Sequence, residues 1–466
     1  MKMKYTVTFS EETYDQLAQH LFQDRLVERA AYALCRISKT GVETRLLVRE
    51  IILVTQEDIE EQTERGMKIK SRSFVRAMKK ADLTKHVFMF IHSHPVGFDA
   101  HSQKDDQEEA KLFRTAYTRI KTVGVHGSLV MSSSEKPIAR IWLEDGTIEK
   151  VDLIRVIGNR FRFYKDFNGI DSVPVFFDRQ IRAFGDDIQK ILRTLHIGVV
   201  GVGGTGSAVA EQLIRMGVGE ITFIDGQQFE ISNVNRVYGS SVRDDKMKKI
   251  SISQRNSSRI GLGTKINLED KPISYLSSAL KLRNCDVIFG CTDDNSGRSI
   301  LTRLAVYYQI PVFDMGVKID SSGGVIKSIQ GRVTTLLADN ACLFCRERIS
   351  AKRIQSETLA ELDPQMLLEL QKQGYADELE TPSPAVIPFT TTIAAMAISG
   401  FLHRLTGFMG SDHLSNEILF MFDELEIRTN RRLSKSGCFC GDDLKKLKGD
   451  VKPFLDLTWR NEKKAD

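Results

Sequence analysis

Three observations predict an α/β chain of two domains. Residues 197–225 read as strand, glycine loop, helix, strand and acid, the order of a nucleotide-binding unit in a parallel sheet. An apolar run at 87–91 continues into two histidines at alternate positions, His92 and His94, so a strand end would aim both the same way. Two close cysteine pairs, Cys342/Cys345 and Cys438/Cys440, read as metal ligands, because seven cysteines in 466 residues make no disulfide framework. The length suits two or three domains, and an apolar fraction of 41% supplies real cores.

Charge and hydropathy narrow the function classes. The chain has 66 basic and 61 acidic residues, intermixed, for a net charge of +5. That is a weakly basic protein, not a nucleic-acid binder by charge alone. No apolar run is long enough to span a bilayer. The opening stretch, MKMKYTVTFSEETYDQL, lacks the apolar core of a secretory signal. We expect a cytoplasmic protein in a reducing compartment, with no nucleic-acid or membrane partner. The chain shows no internal repeat and no low-complexity tract.

In chain order, residues 5–9 alternate and read as a strand, and Ser10 or Glu11 opens a helix through Gln19. Residues 27–34 enter a second strand, and 46–54 and 87–91 are further strands. Residues 112–120 read as helical, and 127–131 with 138–142 complete the sheet. The first domain is placed at 1–156 and a connector at 157–176, where 158–174 shows no clean period.

After the run at 87–91 the pattern is H-x-H-x7-S-x2-D, namely His92, His94, Ser102 and Asp105. Neutral imidazoles and a carboxylate suit zinc, and three protein ligands leave the fourth position for water. Zinc brings the pKa of that water to about 7. The bland alternative is a strand end with two surface histidines, and the fixed offsets of Ser102 and Asp105 weigh against it. Asp106 adjoins Asp105, and spacing favours Asp105. His101 and His126 read as surface or core residues rather than ligands.

This stretch resembles the JAB/JAMM (MPN) metallopeptidase motif. The resemblance implies that His92, His94 and Asp105 bind a catalytic zinc, and that Ser102 stabilises the oxyanion and orients water. It also implies a general acid/base glutamate, Glu28, with Glu50 as the alternative. Without the zinc motif, Glu28 would be a solvated carboxylate at a helix end.

The second domain is organised around residues 197–236. Strand 197–200 leads into Gly201, Gly203, Gly204 and Gly206, then an apolar helix at 207–216, then strand 221–224 ending in Asp225. The glycines let the backbone approach a phosphate, and the helix N-terminus offers free N–H groups to it. An acid after the second strand suits a ribose hydroxyl. On the glycines alone, an NAD-binding Rossmann unit is the favourite. The residues that follow change this. Asn233 and Arg236 come eight and eleven after Asp225, and Lys249 thirteen after Arg236. Cys291-Thr292-Asp293 then closes an apolar run, with Arg298 five after Asp293.

That ordered set resembles the ThiF/MoeB and ubiquitin-activating family over residues 177–441, within a second domain placed at 177–466. The resemblance implies a Rossmann-like adenylating domain with a structural zinc site. Asp225 would hold the ribose and Asn233 the phosphates, while Arg236 and Lys249 stabilise charge on ATP during adenylation and Asp293 holds magnesium. Lys246 and Lys248 adjoin Lys249, and the spacing selects Lys249. Arg179, in a short RQI segment, would reach the nucleotide of a neighbouring subunit and so implies a homodimer. From that segment alone, a plain surface arginine is an equal alternative. No Walker A lysine loop is present.

Cys342, Cys345, Cys438 and Cys440 suit a closed structural zinc, although the second pair is CxC where the family has CxxC. Between the pairs lie a charged, partly helical insert (346–380), a proline-rich stretch (381–388), and a helix at 389–405 ending at Gly407. No cysteine occurs from Arg346 to Gly437, where thioester-forming relatives carry theirs. Cys285 and Cys291 read as packing residues. The tail after Asp442 reads as charged and loosely attached, with 454–459 as a docking patch.

Together these resemblances imply a fusion of a metallopeptidase with an adenylyltransferase. Both would act on the C-terminal tail of a ubiquitin-like or sulfur-carrier protein ending in glycine, and a conjugating enzyme could follow. The cofactors would be ATP, magnesium and two zinc ions, one catalytic and one structural. Such pairings occur in bacterial ubiquitin-like conjugation, some tied to phage defence. The alternatives are sulfur-carrier activation for cofactor or amino-acid biosynthesis, and a non-catalytic scaffold that binds the carrier.

Overall fold

The computed structural model describes residues 2–24, 26–63, 66–94, 98–121, 124–167, 173–377, 384–410 and 415–459. Pro95, Val96 and Gly97 of the histidine motif lie outside the described residues, as do parts of the connector, the insert, the proline-rich stretch and the end of the tail. The chain divides into two compact units. One comprises Met1–Gly169 with Leu447–Val451, the other Ile170–Lys446 with Lys452–Asp466.

The first unit is built on strands β1 (Lys4–Ser10), β2 (Ala30–Lys39), β3 (Glu43–Leu53), β6 (Val87–Ser93), β7 (His126–Met131), β8 (Pro137–Trp142), β9 (Ile148–Lys150), β10 (Leu153–Ile157) and β11 (Phe161–Tyr164). They form one sheet in the order β11-β10-β1-β3-β2-β6-β7-β8-β9, with a separate hairpin of β4 (Ile59–Thr63) and β5 (Gly66–Ile69). Its helices are α1 (Glu11–Leu21), α2 (Ser71–Thr84) and α3 (Gln103–Arg119). Ser10 caps α1 by accepting from the Thr13 N–H at 3.1 Å, as its residue type suggests. The sheet is buried on both faces. Along β6, Val87, Met89 and Ile91 enter the core that contains Leu17 and Tyr14 of α1. Phe88 and Phe90 enter the other, with Ala77 of α2 and Phe113 of α3. The two-residue period therefore carries His92 to the α2/α3 face.

In the second unit the order is β14-β13-β12-β15-β16-β17-β18-β19. Strands β12 (His196–Val200), β13 (Glu220–Ile224), β14 (Lys265–Glu269), β15 (Val287–Gly290) and β16 (Val312–Ser322) are mutually parallel. Strands β17 (Val325–Leu336), β18 (Glu417–Met421) and β19 (Glu426–Thr429) continue the sheet antiparallel. Helices α4 (Asp178–Phe184) and α5 (Asp186–Thr194) precede the sheet. Helices α6 (Gly204–Arg215), α7 (Lys249–Ile260), α8 (Leu276–Lys281), α9 (Asn295–Tyr308), α10 (Ala351–Leu362), α11 (Pro364–Lys372) and α12 (Ile387–Thr406) follow in turn. The strand order reverses between β12 and β15, and the carboxyl ends of strands at such a switch are the usual ligand position in sheets of this kind. Helix α12 packs on α6 and stops at Gly407, whose φ of 74° is left-handed. Among the described residues, no helix is long and apolar enough to cross a membrane.

Two readings are corrected by the structure. Part of the stretch assigned to the connector is β11, antiparallel to β10, so the first sheet runs past residue 156. The tail is not loosely attached. Asp450 bonds to both Ile37 and Lys39, while Phe454 and Leu455 are buried and Asp456 accepts from the Tyr307 hydroxyl at 2.9 Å. The Trp459 indole donates to the Phe454 carbonyl, so this patch folds onto its own unit rather than standing free. The Asp450 and Asp456 contacts join residues far apart in sequence, which local periodicity does not report.

Candidate functional site

In the first unit, β6 and the first turn of α3 bring three donors together. The Nε2 atoms of His92 and His94 lie 2.9 Å apart. Asp105 places Oδ1 3.3 Å from His92 Nε2 and Oδ2 3.2 Å from His94 Nε2. A tetrahedral zinc with bonds of about 2.0 Å would have edges of about 3.3 Å, so the donor set fits the ion. Both histidines are buried. Burial opposes ionisation of Asp105, but hydrogen bonds from His92 and His94, then the His92 charge, hold its carboxyl far below the ordinary range.

The helix cap orients that carboxylate. Ser102 is the N-cap of α3, and its Oγ accepts from the Asp105 N–H at 3.1 Å. Asp105 Oδ2 accepts from the Ser102 N–H at 2.6 Å and Oγ at 2.8 Å. The serine and aspartate of the motif are thus also the two ends of a capping box. Asp106 turns away to pair with Arg140.

Register places Ala30 of β2 opposite His92, so Glu28 stands just before the strand beside the cluster. The His94 imidazole feels burial first, which lowers its pKa. The Asp105 hydrogen bond and charge, then the Glu28 charge, outweigh this and raise it. Glu50 instead pairs with Lys80 and is half-exposed. His126 is wholly buried and accepts from the Phe88 N–H. Burial and the Arg140 charge push His101 down to about 3, so it stays neutral. Sequence reasoning missed Gln62, on the β4–β5 hairpin, whose Nε2 donates to the Glu28 carbonyl at 2.6 Å. No local pattern marks it, because the contact spans 34 residues.

In the second unit the glycine loop follows β12 directly. Gly201 has φ 83°, and a Cβ on Gly206 would lie 1.8 Å from the Gly201 carbonyl oxygen, so neither accepts a side chain. A methyl added at Gly203 would meet nothing within 4 Å, which leaves an open face at the start of α6. The Arg236 stem packs on Gly204, 3.3 Å from where a Cβ would stand. Asp225 is buried, and its two oxygens accept the Val202 and Gln227 N–H groups, each at 2.8 Å. It therefore ties the end of β13 to the glycine loop.

Around that loop, Asn233 is buried and the Arg236 Nη1 donates to the Ser232 carbonyl at 2.7 Å. The Lys249 Nζ donates to Gln227 Oε1 at 2.6 Å, a partner that no motif singles out. Asp293 is exposed just beyond β15. Asp294 caps α9, and Glu357 of α10 accepts the Asn295 and Ser296 N–H groups at 2.9 Å each. Nothing in the charged insert marks Glu357 for that seat. Arg298 reaches the buried Asp314, at 3.3 Å. Cys285 is buried, and the Cys291 thiol is pushed up by burial, consistent with packing. Arg179 is exposed on α4, a helix that buries none of its residues.

All four cysteines of the two pairs converge. Cys342 Sγ lies 3.8 Å from Cys345 and 3.5 Å from Cys438, and Cys440 lies 3.6 Å from both Cys345 and Cys438. Zinc–sulfur bonds of about 2.3 Å require edges of about 3.8 Å, so the thiols fit a closed tetrahedral site. The CxC spacing brings both of its thiols into the cluster.

The two loop glycines should respond differently to substitution. Gly206→Ala should destabilise the second unit by about 1–3 kcal/mol through overpacking. Gly203→Ala should change stability by no more than about 0.5 kcal/mol, as an open-surface change does, yet weaken ATP binding. Thermal denaturation with an ATP titration distinguishes the two.

Comparison with known proteins gives one family match. The model of the ThiF family matches residues 177–440, more than half of the chain. Ubiquitin-like modifier-activating enzyme 5 of Aedes aegypti is 24% identical over 255 residues, covering 51% of this chain and 58% of that protein. The enzyme of the same name from Culex quinquefasciatus is 25% identical over 181 residues, covering 36% and 44%. The chain thus spans about half the length of the curated relatives it matches. A crystal structure of E. coli MccB with ATP is 13% identical with a TM-score of 0.44, covering 88% of this chain and 98% of that one.

Proposed function

The chain belongs to the ThiF family, and on that premise we propose that its second unit is an ATP-dependent adenylyltransferase of the ubiquitin-like-activating kind. Its substrate is the C-terminal carboxylate of a β-grasp carrier protein ending in glycine. The observation that carries this reading is the set of groups gathered at the carboxyl end of β12, beside the switch in strand order. There, an open helix N-terminus, the fixed carboxylate of Asp225 and the Arg236 stem over Gly204 surround the glycine loop, and Lys249 bonds to Gln227, two residues after Asp225. The α6 N–H groups receive phosphate oxygens. Each Asp225 oxygen keeps a second acceptor site for a ribose hydroxyl. Arg236 and Lys249 stabilise the charge that builds on the α-phosphate as the carboxylate attacks and pyrophosphate leaves. A magnesium ion would supply charge neutralisation on the departing pyrophosphate, with Asp293 as its carboxylate ligand.

Four thiolates from Cys342, Cys345, Cys438 and Cys440 would hold a structural zinc and staple the chain after β17 to the chain after β19. With no cysteine between Arg346 and Gly437, the activated carboxylate passes to a separate protein. Arg179 completes the site of a second copy, so the working form is a homodimer.

The first unit acts on the same carrier as a metallopeptidase. Bound at His92, His94 and Asp105, zinc would supply Lewis acidity and a water of pKa about 7. Glu28 takes a proton on its carboxylate and returns it to the leaving amine. Ser102 holds the Asp105 carboxylate and faces the developing oxyanion. The paired activities suit a bacterial ubiquitin-like conjugation system, in which trimming exposes the glycine that is then adenylated.

ATP–pyrophosphate exchange with a panel of carriers tests the reading. Carrier-dependent exchange that disappears in Asp293→Ala is the expected result. Exchange that persists in that variant would remove Asp293 from the metal role, and ATP binding with no exchange by any carrier would favour a scaffold.

A further inference from the structure

Asp105 must hold its place against the two histidines, and its helix is staked down by a buried network that none of the motif residues belongs to. Arg140, on β8, pairs with Asp106 through Nη1 and with Glu109 through Nη2 at 2.9 Å and Nε at 3.0 Å. Asp106 and Glu109 lie in the first two turns of α3, immediately after Asp105 and one turn beyond it. Glu109 is 2% exposed and Arg140 8%. The Glu109 carboxylate also accepts from the Ser128 hydroxyl of β7 and from the Trp142 indole at 2.9 Å. The Arg140 guanidinium lies 5.2 Å over the Trp142 ring. Ser128 Oγ stands 3.4 Å from the Nε2 of His101, the residue before the Ser102 cap. One arginine thus joins the helix that carries Asp105 to the strand beside the strand partner of β6, which carries His92.

We propose that Arg140 is a positioning residue for the metal cluster: its fork fixes the first two turns of α3 so that the Asp105 carboxylate meets His92 and His94. This rests on the metallopeptidase reading of the first unit. A planar fork reaching two carboxylates is a task for arginine, which lysine does not reproduce. Partners behind metal ligands usually set affinity by about 10–100-fold. Arg140 acts through the helix, so the lower end applies.

Cobalt(II) titration of the full chain is the test, because the two candidate sites have different spectra. Four thiolates give an intense near-ultraviolet sulfur-to-metal band, whereas histidine and carboxylate donors give only weak visible bands. Arg140→Met should lower the cobalt affinity read from the histidine–carboxylate bands by about tenfold and leave the thiolate band's titration unchanged, and Arg140→Lys should not restore it. Asp106→Asn, at a half-exposed side chain, should act in the same direction by less, in a protein with wild-type melting behaviour. Wild-type cobalt affinity in both Arg140→Met and Asp106→Asn would overturn the proposal and leave the network a purely structural one. A wild-type chain without any histidine–carboxylate signal would overturn the metal reading itself, and the proposal with it.

Discussion

Arg236→Ala should lower carrier-dependent ATP–pyrophosphate exchange by about 10²–10³-fold, the loss that follows removal of one preorganised donor to developing charge. The fold should survive. The Arg236 side chain is only partly buried, packs its stem over Gly204 and bonds to Ser232 and Asn235. Among the described residues, Arg236 pairs with no acid that the change would leave alone. The defect should appear in kcat more than in the KM for ATP, because the charge it answers exists mainly in the transition state. A loss confined to KM would move Arg236 from catalysis to ground-state binding.

Asp105→Asn is the second large effect. Asparagine can still accept from the Ser102 N–H and hydroxyl, so the α3 cap is retained. What disappears is the negative charge that faces both histidine Nε2 atoms. Metal affinity at this cluster should fall by more than about 100-fold, beyond the range seen when only a supporting partner is lost. Hydrolysis of a tail-extended carrier should fall with it, while ATP–pyrophosphate exchange on a carrier with a free glycine stays at the wild-type level. Metal analysis beside both assays checks this. Undiminished zinc content in the variant would show that Asp105 is not a ligand.

The parts of these sites that are legible in the sequence are those set by backbone period and short loops. His92 and His94 lie two apart on a strand, and Asp105 is three from the serine that caps its helix, so local geometry sets each half of the cluster, while the packing of α3 brings the halves together. The glycine loop is legible for the same reason, since Gly201 and Gly206 meet within one turn. What stays hidden is carried by contacts between distant segments. Gln62 reaches Glu28, Gln227 meets Lys249, and Glu357 seats on the start of α9 from an insert that reads only as charged. Arg140 and Glu109 look like surface charges in the sequence, because only the packing of α3 on β7 and β8 buries them. The attachment of the tail is hidden for a related cause. Phe454 and Leu455 have no period of their own and become core where they pack beside Arg283 and beside Arg303 and Tyr308 of α9.

Adenylation of a carrier tail is tested most directly by the intact mass of that carrier after incubation with the protein, ATP and magnesium, quenched in acid. An AMP adduct on the terminal glycine, absent with Arg236→Ala and with a carrier lacking that glycine, is the predicted result. An unmodified carrier tail alongside AMP bound elsewhere on the carrier, or on the protein itself, would contradict activation of the terminal carboxylate.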